Sequence, residues 1–293
     1  MRATTFLRLL IPLCIVPMLL GMSHFSKPAE LEKISIADRL KSGRISIELT
    51  SLGGHQNKCV ELKLLNRSAD STLVLLEAGR KLIADDSSMQ DILVVREELI
   101  HLAPHQEKRL AVTGFCCRAH RKSPASKSQF QLGPMAPNAW VEVAAHISRS
   151  NYPSYAIQSA VWALSDNHSI AAISTSEKGG NNPLRSLVAK VKNLPLPWYS
   201  IEYEPDTSRL FSNKPQRVWG EIEYYVPNNG QVTLVIKDAK GRNIRTLINA
   251  QNVNPGTYTY FVDEPLKGWK NGTYTLMLYG DQGNLILRRD FSV

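Results

Sequence analysis

The sequence predicts a mainly β protein with α+β character in its first half: a β-sandwich followed by two helices, and then a small Ig-like β-sandwich. Three observations carry this. Short apolar runs alternate with polar residues at a period of two from Arg44 onward and again from about Lys214 to the C-terminus. Gly, Pro, Asn and Asp separate the runs at short intervals, and between the two alternating regions the period lengthens to that of a helix. With 293 residues the chain is long enough for two domains of ordinary size, each burying a core of its own.

At the N-terminus Arg2 and Arg8 accompany an apolar run, Leu9 to Met22, that is too short to be a comfortable membrane span, with the small residues Gly21 and Ser23 placed for cleavage. Residues 1–26 therefore read as a signal peptide, and the mature protein as exported to the cell surface or the medium, with the periplasm as the alternative and no stable membrane span after cleavage. Cys14 lies inside the run and leaves with it. Of the 4 cysteines, Cys59, Cys116 and Cys117 remain. In an oxidising compartment that odd number allows at most one intramolecular disulfide and leaves a thiol over.

In the first domain, residues 44–175, Ile45, Ile47 and Leu49 form one half-buried strand, and Val60, Leu62 and Leu64 a second that ends at the turn Asn66 to Asp70. Leu73 to Leu76, Ile92 to Val95, and the long run from Leu99 through Pro104 to Cys117 complete five or so antiparallel strands, which suit a sandwich better than a sheet wound with helices. After Gly133-Pro134 and a cap at Asn138, Trp140, Val143, Ala144 and Ile147 recur at helical spacing, as do Ile157, Ala160, Val161 and Leu164. Residues 176–213 turn to Ser, Gly, Asn and Pro and read as a linker, within which Leu184 to Val191 can form a short helix and Trp198 and Tyr199 are large enough to pack onto a neighbour.

The second domain, residues 214–293, alternates cleanly. Val218, Ile222, Tyr224 and Val226 make one strand face and Val232, Leu234 and Ile236 another, joined onward through Asp238-Ala239-Lys240-Gly241, a tight turn whose glycine takes the left-handed position. Strands at Thr257 to Val262, Thr273 to Tyr279 and Leu285 to Val293 follow. Pro255-Gly256-Thr257-Tyr258 and Asn271-Gly272-Thr273-Tyr274 echo one another as two similar turns feeding two strands.

The net charge of +9 and the cluster His120, Arg121, Lys122 and Lys127 read as a solvated loop, since no recognition motif accompanies them, and no nucleic-acid partner is expected. No metal is expected either: Cys116, Cys117, His120 and His146 contain adjacent cysteines, which seldom both reach one tetrahedral ion, and there is no second Cys-x-x-Cys arm. His101, His105, His120, His146 and His168 lack a nucleophile motif, no phosphate loop occurs, and so neither an enzyme nor a cofactor is predicted. Alternation in the last strand of the first domain puts Leu110, Val112, Gly114 and Cys116 on the core face and Phe115 and Cys117 on the other. Cys59, in step with Glu61 and Lys63, reads as outward. That matches Cys59 to Cys117 as a disulfide pair and leaves Cys116 free. On the second helix Gln158 and Trp162 stand four apart on one face, so that Gln158 either satisfies a backbone group beside the sheet or does chemistry there.

The chemistry is suggested by resemblance. Gly114-Phe115-Cys116-Cys117 together with the later Ala156-Ile157-Gln158-Ser159-Ala160-Val161-Trp162, within a span from Ile45 to Ile173, resembles the TQxA-type thioester domains of bacterial surface proteins, with Ile157 where that family has Thr. The resemblance implies a thioester between Cys116 and Gln158, shielded from water by Phe115, Tyr155 and Trp162, and attacked by the amine of a protein or other surface ligand to give an isopeptide link. The competing class is a noncovalent binding or structural module of the cell envelope. From Val218 to Val293, the order of strand, Asp-Ala-Lys-Gly turn, Pro-Gly-Thr-Tyr and Asn-Gly-Thr-Tyr resembles FlgD-like Ig domains and the C-terminal sorting domains of type 9 secretion cargo, which implies the secretion machinery as a partner.

Overall fold

The computed structural model describes residues 31–176, 182–204 and 211–293, so the expected signal peptide lies outside the described residues. Contacts divide the chain into two units, Met1–Leu31 and Glu32–Val293, and the architecture below belongs to the second. The fold is mainly β and α+β, as the alternation predicts.

The first half opens with β1 (Lys33–Ser35) and the short helix α1 (Ile36–Lys41), then β2 (Ile45–Ser51), β3 (Gln56–Asn66), β4 (Thr72–Leu76), β5 (Arg80–Ala84), β6 (Asp91–Val94), β7 (Glu98–Leu102), β8 (Glu107–Cys117) and β9 (Gln129–Met135). Six of these strands close into a barrel in the order β2-β3-β8-β6-β5-β9, sealed where Leu49 of β2 pairs with Phe130 of β9, while β1, β4 and β7 form a separate three-stranded sheet. Closure removes the open edges that a sandwich would leave. The barrel interior is filled by Leu49, Val60, Leu62, Leu64, Leu82, Ile92, Val94, Val112, Cys116 and Phe130, in one cluster with Ile36, Val74, Ile100 and Leu102. Gly114 belongs to the same tight seam, because a Cβ there would run into Ile92 Cγ2.

Helices α2 (Asn138–Ser148), α3 (Ser154–Ser165) and α4 (Pro183–Val191) cover the outside of the wall made by β6 and β8. Leu93, Val95, Phe115 and Cys117 point outward into a second core with Val143, Ile147, Ala156, Ala160, Val161, Leu184 and Val188. This explains the continuous apolar run at the end of β8: strands buried on both faces lose their alternation. The helix expected to cap at Asn138 begins at that residue, with Pro137 preceding it and no side-chain cap bond.

One facial assignment is corrected. Lys58 pairs with Thr113 and Val60 with Val112, so Cys59 is the extra residue of a bulge in β3. The bulge turns Cys59 inward, next to Val60 in the barrel core, on the side of Cys116 rather than of Cys117. Cys59, Cys116 and Cys117 are all free thiols, and the predicted Cys59 to Cys117 disulfide is not formed.

The span 176–213 holds, among its described residues, α4 and a strand, β10 (Ser200–Tyr203). The rest is β11 (Pro215–Val226), β12 (Gly230–Lys237), β13 (Asn243–Val253), β14 (Gly256–Pro265), β15 (Thr273–Tyr279) and β16 (Leu285–Ser292). They form a three-stranded sheet, β10-β11-β14, and a four-stranded one, β13-β12-β15-β16, around a core that includes Val218, Ile222, Leu234, Val262, Leu276 and Phe291. Gly241 takes the expected positive φ of 76°. The two echoed turns close alike: Tyr258 Oη donates to the Asn254 carbonyl at 2.9 Å, and Tyr274 Oη to the Lys270 carbonyl at 2.8 Å.

Arg185 of α4, fully buried, ties the helical layer to this sandwich. Its guanidinium donates to the carbonyls of Ile173 (2.7 Å), Tyr199 (3.1 Å) and Ala171 (3.1 Å) and to Ser200 Oγ (2.6 Å). Burial without a carboxylate partner lowers its pKa to about 10.

Candidate functional site

Two sites emerge, both built on α3. At the first, Gln158 is 3% exposed and its Nε2 donates to the Cys116 main-chain carbonyl at 2.8 Å. The neighbouring Cys116 N–H donates to His55 O, just ahead of the start of β3, so the glutamine amide supplies a donor where the pairing of β8 with β3 runs out. The Cys116 side chain lies in the barrel core, whereas Gln158 arrives from the helices outside the wall. The structure thus brings Gln158 to the backbone of Cys116 and leaves its thiol on the far side.

The thiols are suited to packing rather than to nucleophilic attack. Burial, with weaker contributions from the neighbouring cysteines and Asp91, pushes the Cys116 thiol far above its usual range. Burial first, then Asp91, raises Cys117 to about 12, and burial raises Cys59 to about 11. Cys117 Sγ donates to the Asp91 carbonyl at 3.3 Å and Cys59 Sγ to the Gly114 carbonyl at 3.4 Å. Of the expected shielding residues, Phe115 is fully buried and Trp162 largely so, but Tyr155 is 57% exposed.

The second site is a cleft of about 620 Å³ on the other flank of α3. Tyr155, Ser159 and Trp162 reach it from the helix, at spacings that place them on one face. His168 follows the helix, Glu202, Tyr203 and Glu204 come from β10 and its end, Arg217 and Trp219 from β11, and Phe211 from the segment leading into it. The rings interlock. His168 lies 4.6 Å from both Tyr203 and Phe211 between ring centres, and Trp162 meets Phe211 edge to face at 5.4 Å. Burial lowers the His168 pKa to about 4 against the opposing pull of Asp166, so the ring is neutral at neutral pH. Burial likewise raises the Tyr203 hydroxyl. Arg217 lies 5.0 Å over the Trp219 ring and grips Asp263 with two bonds, at 2.6 and 2.9 Å.

Of these residues only Trp162 and Tyr155 were singled out as site candidates from the sequence. A signal for Trp219 exists: it falls with Arg217, Glu221 and Glu223 on the polar side of β11, an aromatic out of pattern. His168, Tyr203 and Phe211 carry no comparable mark, because they converge from segments without clear periodicity. Among the described residues no group of three or more potential metal-ligating side chains occurs, and no helix is long and apolar enough to cross a membrane. No protein-family model matches the chain, and no curated protein is detectably similar to it.

Proposed function

We propose that the protein is an exported, noncovalent binding module of the cell envelope, which receives its ligand in the cleft between α3 and β10–β11 and is carried by its C-terminal sandwich. The observation that supports this reading is the convergence of five rings, Trp162, His168, Tyr203, Phe211 and Trp219, from separate elements onto one open cavity of about 620 Å³, within the usual range for small-molecule sites. Export is argued from the basic and apolar N-terminal residues. A type 9 sorting role for the sandwich, and its engagement with secretion machinery, rests on the turn pattern of Val218 to Val293.

The thioester reading has less behind it, since a buried Cys116 thiol inside the barrel does not face the Gln158 amide that it would have to attack. Intact-mass spectrometry separates the two. The expected mass of wild type and of Cys116→Ala equals that of each sequence, after any signal cleavage. A wild-type mass short by one ammonia, restored in Cys116→Ala, would establish the covalent chemistry instead.

A further inference from the structure

We infer that β14 is a docking edge, and that it takes a second copy of the chain by antiparallel pairing of the two β14 strands about a two-fold axis. This goes beyond the binding reading above and does not rest on it.

A strand at the edge of a sheet presents a row of unpaired N–H and C=O groups, and a chain that is to stay single blunts such rows with short length, bulges, charge or a cover. Most open edges of this molecule are blunted so. β1 and β7, at the two sides of the first three-stranded sheet, are three and five residues long. β10 has four residues and a register shift between Glu202 and Tyr203. The register of β12 with β13 breaks at three points, and Ala250 of β13 takes a positive φ of 46°. β16 carries Arg288 and Arg289 and is partly covered: Trp198 Nε1 donates to the Asp290 carbonyl at 2.9 Å, and the Ser292 N–H donates to Tyr199 Oη at 2.9 Å. β14 has none of these devices. It runs ten residues in unbroken register with β11, from Arg217↔Pro265 to Val226↔Gly256, and stands last in its sheet. Among the described residues no loop bond reaches its main chain on the other side.

The composition of the strand selects the occupant. β14 holds no Lys or Arg and no Pro before its final residue, and its middle, Thr257-Tyr258-Thr259-Tyr260-Phe261-Val262, is wholly β-branched and aromatic, with Phe261 40% exposed. Its two acids are neutralised within the sandwich. Asp263 is held by Arg217 at 2.6 and 2.9 Å, and Glu264 by Arg245 at 3.1 Å. In an antiparallel pair centred on Tyr260, the second copy's Thr259 stands opposite Phe261, its Val262 opposite Tyr258, and its Tyr260 opposite Tyr260. Each central pair then joins an aromatic ring to a β-branched or aromatic partner, the kind of pair that stabilises antiparallel strands. Asp263 falls opposite Thr257, whereas a parallel pair in register would set Asp263 against Asp263. The two-fold axis uses up the open edge of each copy, so the assembly stops at two. Three strands from each copy make one sheet of six, and the dimer carries two clefts, each flanked by β10 and β11. A strand about 34 Å long offers main-chain bonds but little area, so the dimer is reversible.

The test is sedimentation of the full-length chain across a concentration series, with amide hydrogen exchange measured at low and high concentration. A reversible dimer is expected, with exchange slowed in β14 as concentration rises. Thr259→Lys combined with Phe261→Lys sets lysines opposite one another across the axis and should weaken dimerisation about tenfold or more. Thr246→Lys combined with Asn249→Lys, the same charge added at exposed positions of β13, should leave it unchanged. Circular dichroism and melting confirm the fold of each variant, and if the β14 variant does not fold, exchange in the wild type decides alone. A monomer at every concentration up to about 1 mM would overturn the proposal. So would a dimer whose slowed exchange lies outside β14, or one that the folded β14 variant leaves intact. Exchange in β14 slowed only when an unrelated Thr- and Val-rich extended peptide is added would give the edge to a different partner and overturn the second copy as its occupant.

Discussion

The two sites on α3 differ in how completely their chemistry is met. Gln158 and Trp162 stand one turn apart, yet the Gln158 amide donor is taken by the Cys116 carbonyl inside a sealed wall, while the Trp162 indole, with its donor unpartnered, borders an open cleft. Around Cys116 the thiols are packed into the two cores, where burial favours their protonated form, and the one group left unmet, Gln158 Oε1, is sealed from solvent. Around Trp162 rings and carboxylates border a cavity open to solvent, with the unpaired indole donors of Trp162 and Trp219 buried in its wall. Burial turns a potential nucleophile into a core residue, and function is better sought where polar groups remain unmet at an accessible surface.

The largest effect should come from the residue that joins the two regions. Arg185→Met would leave three carbonyls and Ser200 Oγ without their donor, and denaturant unfolding should show a loss of about 3–5 kcal/mol. A loss below about 1 kcal/mol would mean that β10, and with it half of the cleft, is held by other contacts.

Next comes pH, which should act on the cleft and not on the cysteine wall. The pKa of His168 falls from 6.5 to about 4 on folding, so the unfolded chain takes up its proton first as the pH drops. Stability is therefore full above about pH 6.5, is lost between there and about pH 4, and is unchanged by this group below that. The upper limit is about 3 kcal/mol. Stability curves of wild type and His168→Gln, measured by urea unfolding across that range, should diverge in slope. Parallel curves would show that His168 protonates in the fold as easily as out of it.

The smallest effect should be Gln158→Leu. It leaves the Cys116 carbonyl unpaired but also removes the unpartnered Gln158 Oε1, so the net loss by denaturant unfolding should be about 1–2 kcal/mol, with cleft affinity unchanged. Failure of cleft binding in a folded Gln158→Leu variant would erase the distinction between the two sites.

Much of the first site was legible residue by residue. Alternation in β8 placed Cys116 on the core face and Cys117 opposite, and the structural alternative for Gln158, a bond to a backbone group near the sheet, is the one observed. Cys59 was misread because one extra residue reverses every face beyond it, and a bulge has no signature in alternation alone. The cleft was mostly illegible, because Tyr203, Phe211 and Trp219 come from different parts of the chain and are neighbours only through packing.

By itself the sequence determined the β-rich class, the two stretches of strand, the helices between them, and the turns at Gly241 and before Tyr258 and Tyr274, because period and turn chemistry are local properties of the backbone. The tertiary structure alone decided that six strands close into a barrel, that helices bury the outer face of β8 and so seal its cysteines, and that α3 meets β10 and β11 around a ring-lined cleft. Those outcomes depend on which apolar faces find one another across long stretches of chain, and hydrophobic burial, which drives that choice, is non-directional and carries no local code.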